Sequence, residues 1–209
     1  MPTYKVSYFT FSGLGEPVRY TAAYCNVDFI DNRVTWEEWS KLKSTTPLGQ
    51  MPILEIDGKV YHQSIPICRY LGNKFNLTGD NAEEIYEVDV AAETVNELRG
   101  KVGMWAYSCK REKNEKYEEL IKKTIPSYLS KLDEQAGKNG GFLAIKDKIT
   151  WADCFATGVL EYINSLVDLD VLVDYKNLQK VRENVVSSEG VKKYLKNRPA
   201  EGENPFKTW

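Results

Sequence analysis

The stretch "GQMPILEIDGKVYHQS", residues 49–64, decides the fold. Its two apolar segments flank Asp57-Gly58, a dipeptide that favours the tight turn of a β-hairpin. Pro52 stands at the start of the first strand, where it removes a backbone donor, and an X-Pro bond in such a place can be cis. The pair Gln63-Ser64 follows the second strand and opens a predicted helix with Ser64 as its cap. We therefore predict a hairpin with a proline turn at one end and a helix N-terminus at the other.

The patterns on either side of the hairpin predict two domains. Residues 1–76 read as β-α-β-α-β-β-α, which is the thioredoxin-like α/β order, and residues 77–82 read as a linker. Strand signals stop there, so residues 83–209 are predicted to form an all-helical domain. The predicted elements before the hairpin are strands at 4–9 and 28–34, a helix at 15–27 and a short helix or turn at 35–45. After it we predict helices at 64–75, 83–112, 115–136, 150–167, 177–187 and 188–197, with breaks at 137–142 and 168–174.

Composition excludes several kinds of partner. Lys and Arg number 28 against 30 Asp and Glu, so nothing indicates a nucleic-acid-binding surface. No apolar run approaches the roughly 18–20 residues of a membrane span, and the N-terminus lacks the pattern of a signal peptide. Four scattered cysteines and one histidine give no pattern of metal ligands. We expect a cytoplasmic protein without nucleic-acid or membrane partners and without a bound cofactor.

The two ends of the hairpin suit a peptide ligand that carries a carboxylate. A proline turn leaves the backbone N–H and C=O of Met51 unpaired, and an extended peptide can dock on such groups as an added strand. The Ser64 hydroxyl and the N–H groups of the helix that it opens form an anion site. Taken singly, Pro52 could merely shape a turn and Ser64 could merely cap a helix.

A disulfide oxidoreductase on this plan would carry a C-x-x-C pair just after the first strand. Here the chain reads "YFTFSGLGEP" and contains no cysteine at this place. Tyr8 stands at the end of the strand instead. Thiol chemistry without a protein thiol suggests that the thiol arrives with the ligand.

The stretch "ITWAD", residues 149–153, fits a capping box at the start of a helix. Thr150 is the predicted cap, Asp153 the residue that answers it, and Ile149 the hydrophobic staple. We interpret Asp153 as a folding residue rather than a catalytic one.

These motifs together resemble those of a known family. In order and spacing, the chain is similar to cytosolic glutathione transferases, and within them to the sigma class, which includes the glutathione-dependent prostaglandin D synthases. The resemblance implies a homodimer, glutathione as co-substrate and a small hydrophobic electrophile as acceptor. The segments that carry it are "YKVSYF", "GLGEPVR", "WSKLKSTTPLGQMPILEIDG", "HQSIPICRYL" and "TWAD".

The resemblance also implies roles for individual residues. Tyr8 matches the catalytic tyrosine, whose O–H stabilises the thiolate of glutathione. Glu97 matches an acidic residue that reaches across the dimer to the γ-glutamyl ammonium. The remaining glutathione-binding residues are Trp39 and Lys43 for the glycine carboxylate, Gly49, Gln50, Met51 and Pro52 for the strand-like contact, and Gln63 and Ser64 for the γ-glutamyl end.

The second substrate site departs from the class pattern at one position. Leu14 stands where prostaglandin D synthases have an arginine, so prostaglandin isomerisation is doubtful. Arg99 is expected at the rim, and Phe206 and Trp209 of the tail could close over the pocket or be disordered. Glu93, Asn96 and Glu97 lie where the synthases bind a divalent cation, but Asn96 removes one charge and we predict no metal. The predicted acceptor pocket comprises Phe9, Phe11, Gly13, Leu14, Met104 and Phe155.

Three functions remain open from the sequence. The leading one is a transferase that conjugates glutathione to hydrophobic electrophiles, with lipid hydroperoxide peroxidase activity as an extension. The second is a prostaglandin D-type isomerase. The third is a non-enzymatic relative, either a crystallin or a carrier of hydrophobic ligands, since fold alone does not separate these.

Overall fold

The predicted hairpin forms the antiparallel edge of a four-stranded sheet with the order β2-β1-β3-β4. The computed structural model describes residues 2–108 and 110–206. Strands β1 and β2 pair in parallel, whereas β1 with β3 and β3 with β4 pair antiparallel. The strands are β1 (Tyr4–Phe9), β2 (Phe29–Val34), β3 (Ile53–Ile56) and β4 (Lys59–His62).

Three helices complete this part of the chain and confirm the predicted β-α-β-α-β-β-α order. They are α1 (Gly15–Tyr24), α2 (Trp36–Leu42) and α3 (Ser64–Lys74). Helix α1 is the crossover that a parallel pair such as β1 and β2 requires. It therefore begins close to the end of β1, and this junction carries Tyr8.

The rest of the described chain is helical, as expected. Its helices are α4 (Ala82–Ala106), α5 (Lys110–Glu119), α6 (Ile125–Lys138), α7 (Trp151–Val167), α8 (Lys176–Val186) and α9 (Glu189–Asn197). Helix α7 is the most buried of these and packs against α1, α3, α4 and α8. None of the helices in the described residues is long and apolar enough to cross a membrane.

The predicted break near residue 113 is wrong. Helix α4 ends at Ala106, and a single π-helical turn at 120–124 joins α5 to α6. Just past the end of α4, the hydroxyl of Ser108 donates to the carbonyl of Trp105 at 2.7 Å. The indole Nε1 of Trp105 in turn donates to the carbonyl of Lys113, 3.0 Å away, and fixes α5 against α4. The helical periodicity of the sequence could not predict this contact, because it joins two different helices.

The capping role predicted for Ser64 is also wrong. Ser64 is the first residue of α3, and Gln63 occupies the N-cap position with φ of 72°. The side chain of Gln63 makes no capping hydrogen bond. The first backbone N–H groups of α3 therefore receive no hydrogen bond from the side chain of the N-cap residue.

The predicted capping box at α7 is confirmed. Thr150 is the N-cap, and Asp153 accepts hydrogen bonds from its backbone N–H and its hydroxyl. The same carboxylate accepts the N–H of Leu143 at 2.8 Å, which ties the preceding loop to the helix.

Candidate active site

Tyr8 lies at the carboxyl end of β1, opposite Arg33 of β2, with 8% of its surface exposed. The following loop fits closely around its ring. A Cβ atom on Gly13, which has φ of 42°, would collide with the Tyr8 hydroxyl. A Cβ atom on Gly15 would lie 2.5 Å from the Tyr8 Cβ. The "GLG" stretch is therefore the steric complement of the Tyr8 side chain, which explains why two glycines are placed there.

The hydroxyl of Tyr8 is a donor with an unused proton. Burial raises the pKa of Tyr8 to about 12, and a backbone hydrogen bond from Leu14 together with the charges of Arg19 and Arg99 offsets part of that rise. The phenol is therefore protonated at neutral pH. Its proton meets no acceptor within the described part of the chain, so it is available to a ligand.

Arg19 is a buried cation beneath this site that the sequence reasoning did not single out. Its guanidinium lies 6.0 Å from the centroid of the Tyr8 ring. It is fully buried and is held by Glu16 at 3.1 Å and by Asp31 at 2.7 Å. The Glu-x-x-Arg spacing in "GEPVR" was the available signal, because residues three apart on a helix face each other.

The proline turn leaves the backbone of Met51 open, as predicted. The Met51–Pro52 peptide bond is cis. Neither the N–H nor the C=O of Met51 forms a hydrogen bond to any residue that the structure describes. The side chain of Gln63 reaches that of Gln50 at 3.5 Å, so these two predicted residues meet beside the turn.

Trp39 and Lys43 lie along the other border of the same surface. Trp39 is half-buried and presents an edge to the ring of Phe9, with 5.7 Å between centroids. Lys43 is exposed and lies over Gly49, where a Cβ atom would come within 3.5 Å of the lysine chain. An indole N–H and an ammonium are both donors, so this border suits a carboxylate.

Glu97 is not brought to this surface in the single chain. It is exposed and accepts a hydrogen bond from the hydroxyl of Tyr128 at 2.6 Å, which lowers the pKa of Glu97. Lys101 lies 3.6 Å from the same oxygen. Asn96 donates to Glu93 and also accepts from Arg99. In the described residues, no group of three or more His, Cys, Asp or Glu side chains is placed so that it could hold a metal ion.

The predicted acceptor pocket divides into exposed and buried members. Phe9 stacks on Trp36, with 4.3 Å between the rings. Leu14 is half-buried and Met104 is 71% exposed. Phe11 and Phe155 are almost completely buried, and Phe155 packs against Trp151. A ligand could touch these last two rings only after neighbouring side chains moved.

The tail closes part of this region. Phe206 presents its ring at right angles to Tyr107, with 4.4 Å between centroids, and also to Phe11 at 6.3 Å. The backbone N–H of Gly202 donates to the carbonyl of Thr10 and holds the tail against the loop. Trp209, the other predicted lid residue, lies outside the described residues.

Family models match both halves of the chain. One, described as the N-terminal domain of glutathione S-transferase, matches residues 11–74, and another, described as the C-terminal domain, matches residues 96–198. The chain belongs to the glutathione S-transferase family. Its membership agrees with the thioredoxin-like sheet and the helical C-terminal part described above.

Curated relatives align over nearly the whole chain. A glutathione S-transferase of Anopheles gambiae is 44% identical over 95% of this chain and 98% of its own length. Glutathione S-transferase S1 of Drosophila melanogaster is 39% identical over 94% of this chain and 79% of its own. The human hematopoietic prostaglandin D synthase is 32% identical over 95% of this chain and 98% of its own length.

A solved structure has the same fold over the same length. The prostaglandin synthase D of Nilaparvata lugens superposes with a TM-score of 0.88 and is 38% identical. The match covers 95% of this chain and 99% of that one.

Proposed function

We propose that the protein transfers the thiolate of glutathione to small hydrophobic electrophiles. The observation that carries the proposal is the buried Tyr8 hydroxyl, which keeps its proton and has no protein acceptor among the described residues. A free thiol has a pKa of about 8.5, and lowering it by about two units requires roughly 2.7 kcal/mol in favour of the thiolate. A hydrogen bond from Tyr8 to sulfur contributes in that direction.

The hairpin surface would hold the rest of glutathione. The open N–H and C=O of Met51, after the turn at Gln50, pair with the cysteinyl backbone as an added strand. The γ-glutamyl carboxylate lies at Gln63 and Ser64, where the N-terminal end of α3 adds its partial positive charge. Trp39 and Lys43 bind the glycine carboxylate, with Gly49 and Pro52 shaping the surface between.

The thiolate sulfur of glutathione is the nucleophile, and it attacks an electrophilic carbon of the second substrate in a substitution or an addition. The thiol proton leaves to solvent, and the electron pair of the thiolate forms the new C–S bond. In a substitution, the leaving group departs with the electron pair of the bond that breaks. In an addition to an unsaturated aldehyde, the π electrons of the C=C bond shift toward the carbonyl, and the carbon next to it then takes up a proton from solvent. The second substrate sits between the accessible members of the acceptor pocket, the half-buried Phe9 and Leu14 and the exposed Met104, where Gly13 leaves space for the hydroxyl of Tyr8. Phe11 and Phe155 then support the pocket from behind, and peroxide reduction is a further activity to be tested there.

The family resemblance motivates three further parts of the proposal. The protein is of the sigma class, acts in the cytoplasm and works as a homodimer. Residues 1–76 bind glutathione, 77–82 link the domains, and 83–209 carry the acceptor site and the dimer contacts. Glu97 then binds the glutathione of the partner subunit and gives up its contacts with Tyr128 and Lys101.

Isomerisation of a prostaglandin endoperoxide is a second candidate. The names of two similar proteins favour it, the human hematopoietic prostaglandin D synthase and the prostaglandin synthase D of Nilaparvata lugens. Leu14 argues against it, because an apolar side chain can neither polarise the thiol nor pair with an anionic substrate.

Steady-state assays with glutathione test both candidates. The panel comprises an aryl halide, an unsaturated aldehyde, a lipid hydroperoxide and a prostaglandin endoperoxide. We expect turnover with the first two electrophiles, and we expect it to depend on Tyr8. Turnover of the endoperoxide alone would establish the isomerase instead. No turnover together with no binding of glutathione in a calorimeter would reject the proposed function.

A further inference from the structure

A cavity of about 300 Å³ lies at the other end of α1 from Tyr8. It is bordered by the last turn of α1, the first residues of β2 and the length of α9. Helix α1 has ten residues and is therefore about 15 Å long. The proposed glutathione site lies at its N-terminal end and the cavity at its C-terminal end. The two are separate places on the molecule.

The wall of the cavity is apolar and partly aromatic. The rings of Phe29 and Tyr194 lie 6.0 Å apart with a tilt of 41°. Ala23, Val27 and Pro199 complete the apolar lining. Rings arranged in this way offer faces and edges to a planar aromatic ligand.

One cation of the lining has hydrogen-bonding capacity left. Arg198 uses its Nη1 for Glu16 and Glu161. Its Nε and Nη2 donate to no acceptor in the residues that the structure describes. These two nitrogens form the planar fork that fits the two oxygens of a carboxylate.

The other charged side chains of the lining do not prevent an anion from binding to the Arg198 fork. Asp31 is already neutralised by Arg19 at 2.7 Å and by Arg33 at 2.9 Å. At the mouth, the one described carboxylate that pairs with Lys193 is that of Asp28, at 3.4 Å, and both side chains are mostly exposed. Exposed pairs of this kind contribute little, so Lys193 can exchange Asp28 for a ligand.

We propose that this cavity is a second binding site, which takes a small aromatic carboxylate. The ring of the ligand packs against the faces and edges that Phe29 and Tyr194 present to the cavity, and its carboxylate binds the free edge of Arg198 with Lys193 beside it. The volume is at the lower end of ordinary ligand sites, which limits the ligand to one or two fused rings. This site does not depend on the proposed glutathione chemistry.

A titration of the full chain with 2-naphthoate tests the proposal, followed by amide NMR shifts and by calorimetry. We expect saturable shifts in residues 23–31 and 190–199. The neutral analogue 2-naphthamide should bind at least about 10-fold more weakly because it lacks the charge that Arg198 and Lys193 recognise. Equal affinity of the two compounds would overturn recognition of the carboxylate, and shifts confined to residues 8–14 and 104–107 would overturn the site.

Two variants with a matched control locate the binding. Lys193→Glu should weaken 2-naphthoate about 10-fold or more, whereas Lys192→Glu, the same charge change one residue away and outside the lining, should leave it unchanged. Val27→Trp should fill the cavity and abolish the shifts while the chain stays folded by circular dichroism. If both Lys193→Glu and a folded Val27→Trp bind as tightly as the unchanged chain, the cavity is not the site. If Val27→Trp does not fold, Lys193→Glu against Lys192→Glu decides.

Discussion

Tyr8 and Asp153 are both buried polar side chains, and they differ in how much of their hydrogen-bonding capacity the fold uses. Burial raises the pKa of each. Asp153 accepts the N–H of Leu143 and both the N–H and the hydroxyl of Thr150. Tyr8 accepts one backbone hydrogen bond from Leu14 and keeps its own proton.

We propose that this difference separates a residue that builds the fold, Asp153, from one that acts on a ligand, Tyr8. Neither burial nor the direction of the pKa shift distinguishes the two, since both groups share them. The unused donor of Tyr8 does distinguish them, because a buried O–H whose proton has no acceptor costs stability unless a ligand or water supplies that acceptor. The predictions below test whether unused capacity identifies function in this molecule.

The largest effect is expected on turnover when the Tyr8 hydroxyl is removed. Tyr8→Phe keeps the ring and should lower kcat about 10- to 1000-fold, with the Michaelis constant for glutathione changed by no more than a few-fold. Stopped-flow and steady-state kinetics measure both. Tyr61→Phe removes a hydroxyl of β4 and is the matched control. Near-normal turnover of Tyr8→Phe would show that the unused proton of Tyr8 does not serve the reaction.

Asp153→Ala should show the opposite pattern. It breaks the capping box, worth about 1 kcal/mol, and leaves the buried N–H of Leu143 unpaired, worth about 1–3 kcal/mol more. Denaturant unfolding should report a loss of about 3 kcal/mol, while kcat per folded molecule is retained. Glu38→Ala breaks the same motif at the exposed start of α2 and should cost far less. An Asp153→Ala protein that is as stable as the unchanged chain but has lost turnover would show that Asp153 serves the reaction rather than the fold.

The pH dependence of the reaction tests the protonation state of Tyr8. The reactive form is the thiolate, so kcat/KM should rise with pH through a thiol pKa lying below the usual 8.5 or so. Because the pKa of Tyr8 is about 12, no fall in rate from loss of its proton is expected below about pH 10. In Tyr8→Phe the rise should move upward by as much as about two units. An unmoved profile would mean that Tyr8 does not act on the sulfur.

Ser64 and Ser188 allow the same comparison at two helix starts. Ser188 is the true N-cap of α9 and accepts from Val191, whereas Ser64 is the first helical residue of α3. Ser64→Ala should weaken glutathione binding by roughly 1.5–3 kcal/mol and change stability little. Ser188→Ala should cost about 1 kcal/mol of stability and leave the affinity intact. Calorimetry and thermal unfolding of both proteins decide, and unchanged affinity in Ser64→Ala would exclude it as a ligand.

The smallest effect is expected at Glu97, which is exposed and already paired within its own chain. Glu97→Ala should raise the Michaelis constant for glutathione a few-fold in a protein that stays dimeric by sedimentation. Tyr128→Phe frees Glu97 from its partner and should not raise that constant. A rise of equal size in Tyr128→Phe would indicate that the contact between the two side chains is what matters.

A mixed dimer shows which subunit Glu97 serves. One chain carries both Tyr8→Phe and Glu97→Ala, and the other is unchanged. Action across the interface predicts two singly impaired sites, whereas action within a chain predicts one normal site. Half of the normal activity with an unchanged Michaelis constant would refute a shared site.

Much of the fold could be predicted because its signals are local. Alternation in β1, the Asp57-Gly58 turn and the capping box at Thr150 and Asp153 each lie within a few residues, and the structure confirms all three. The end of α4 and the cap of α3 could not be predicted in the same way. The first depends on the contact of Trp105 with the Lys113 backbone, and the second on the backbone conformation of Gln63.

The sequence by itself determined the order of the elements and the position of Tyr8 at the end of β1, where a disulfide oxidoreductase on this plan would carry a thiol, because strand and helix periodicities and short motifs are properties of neighbouring residues. The tertiary structure alone decided that Gly13 and Gly15 enclose Tyr8, that Arg19 lies beneath its ring and that Phe206 covers Phe11. It also decided that Arg198, which lines a cavity, has an edge that no described residue occupies. These features depend on where distant segments meet, and on which hydrogen bonds remain unused once they have met.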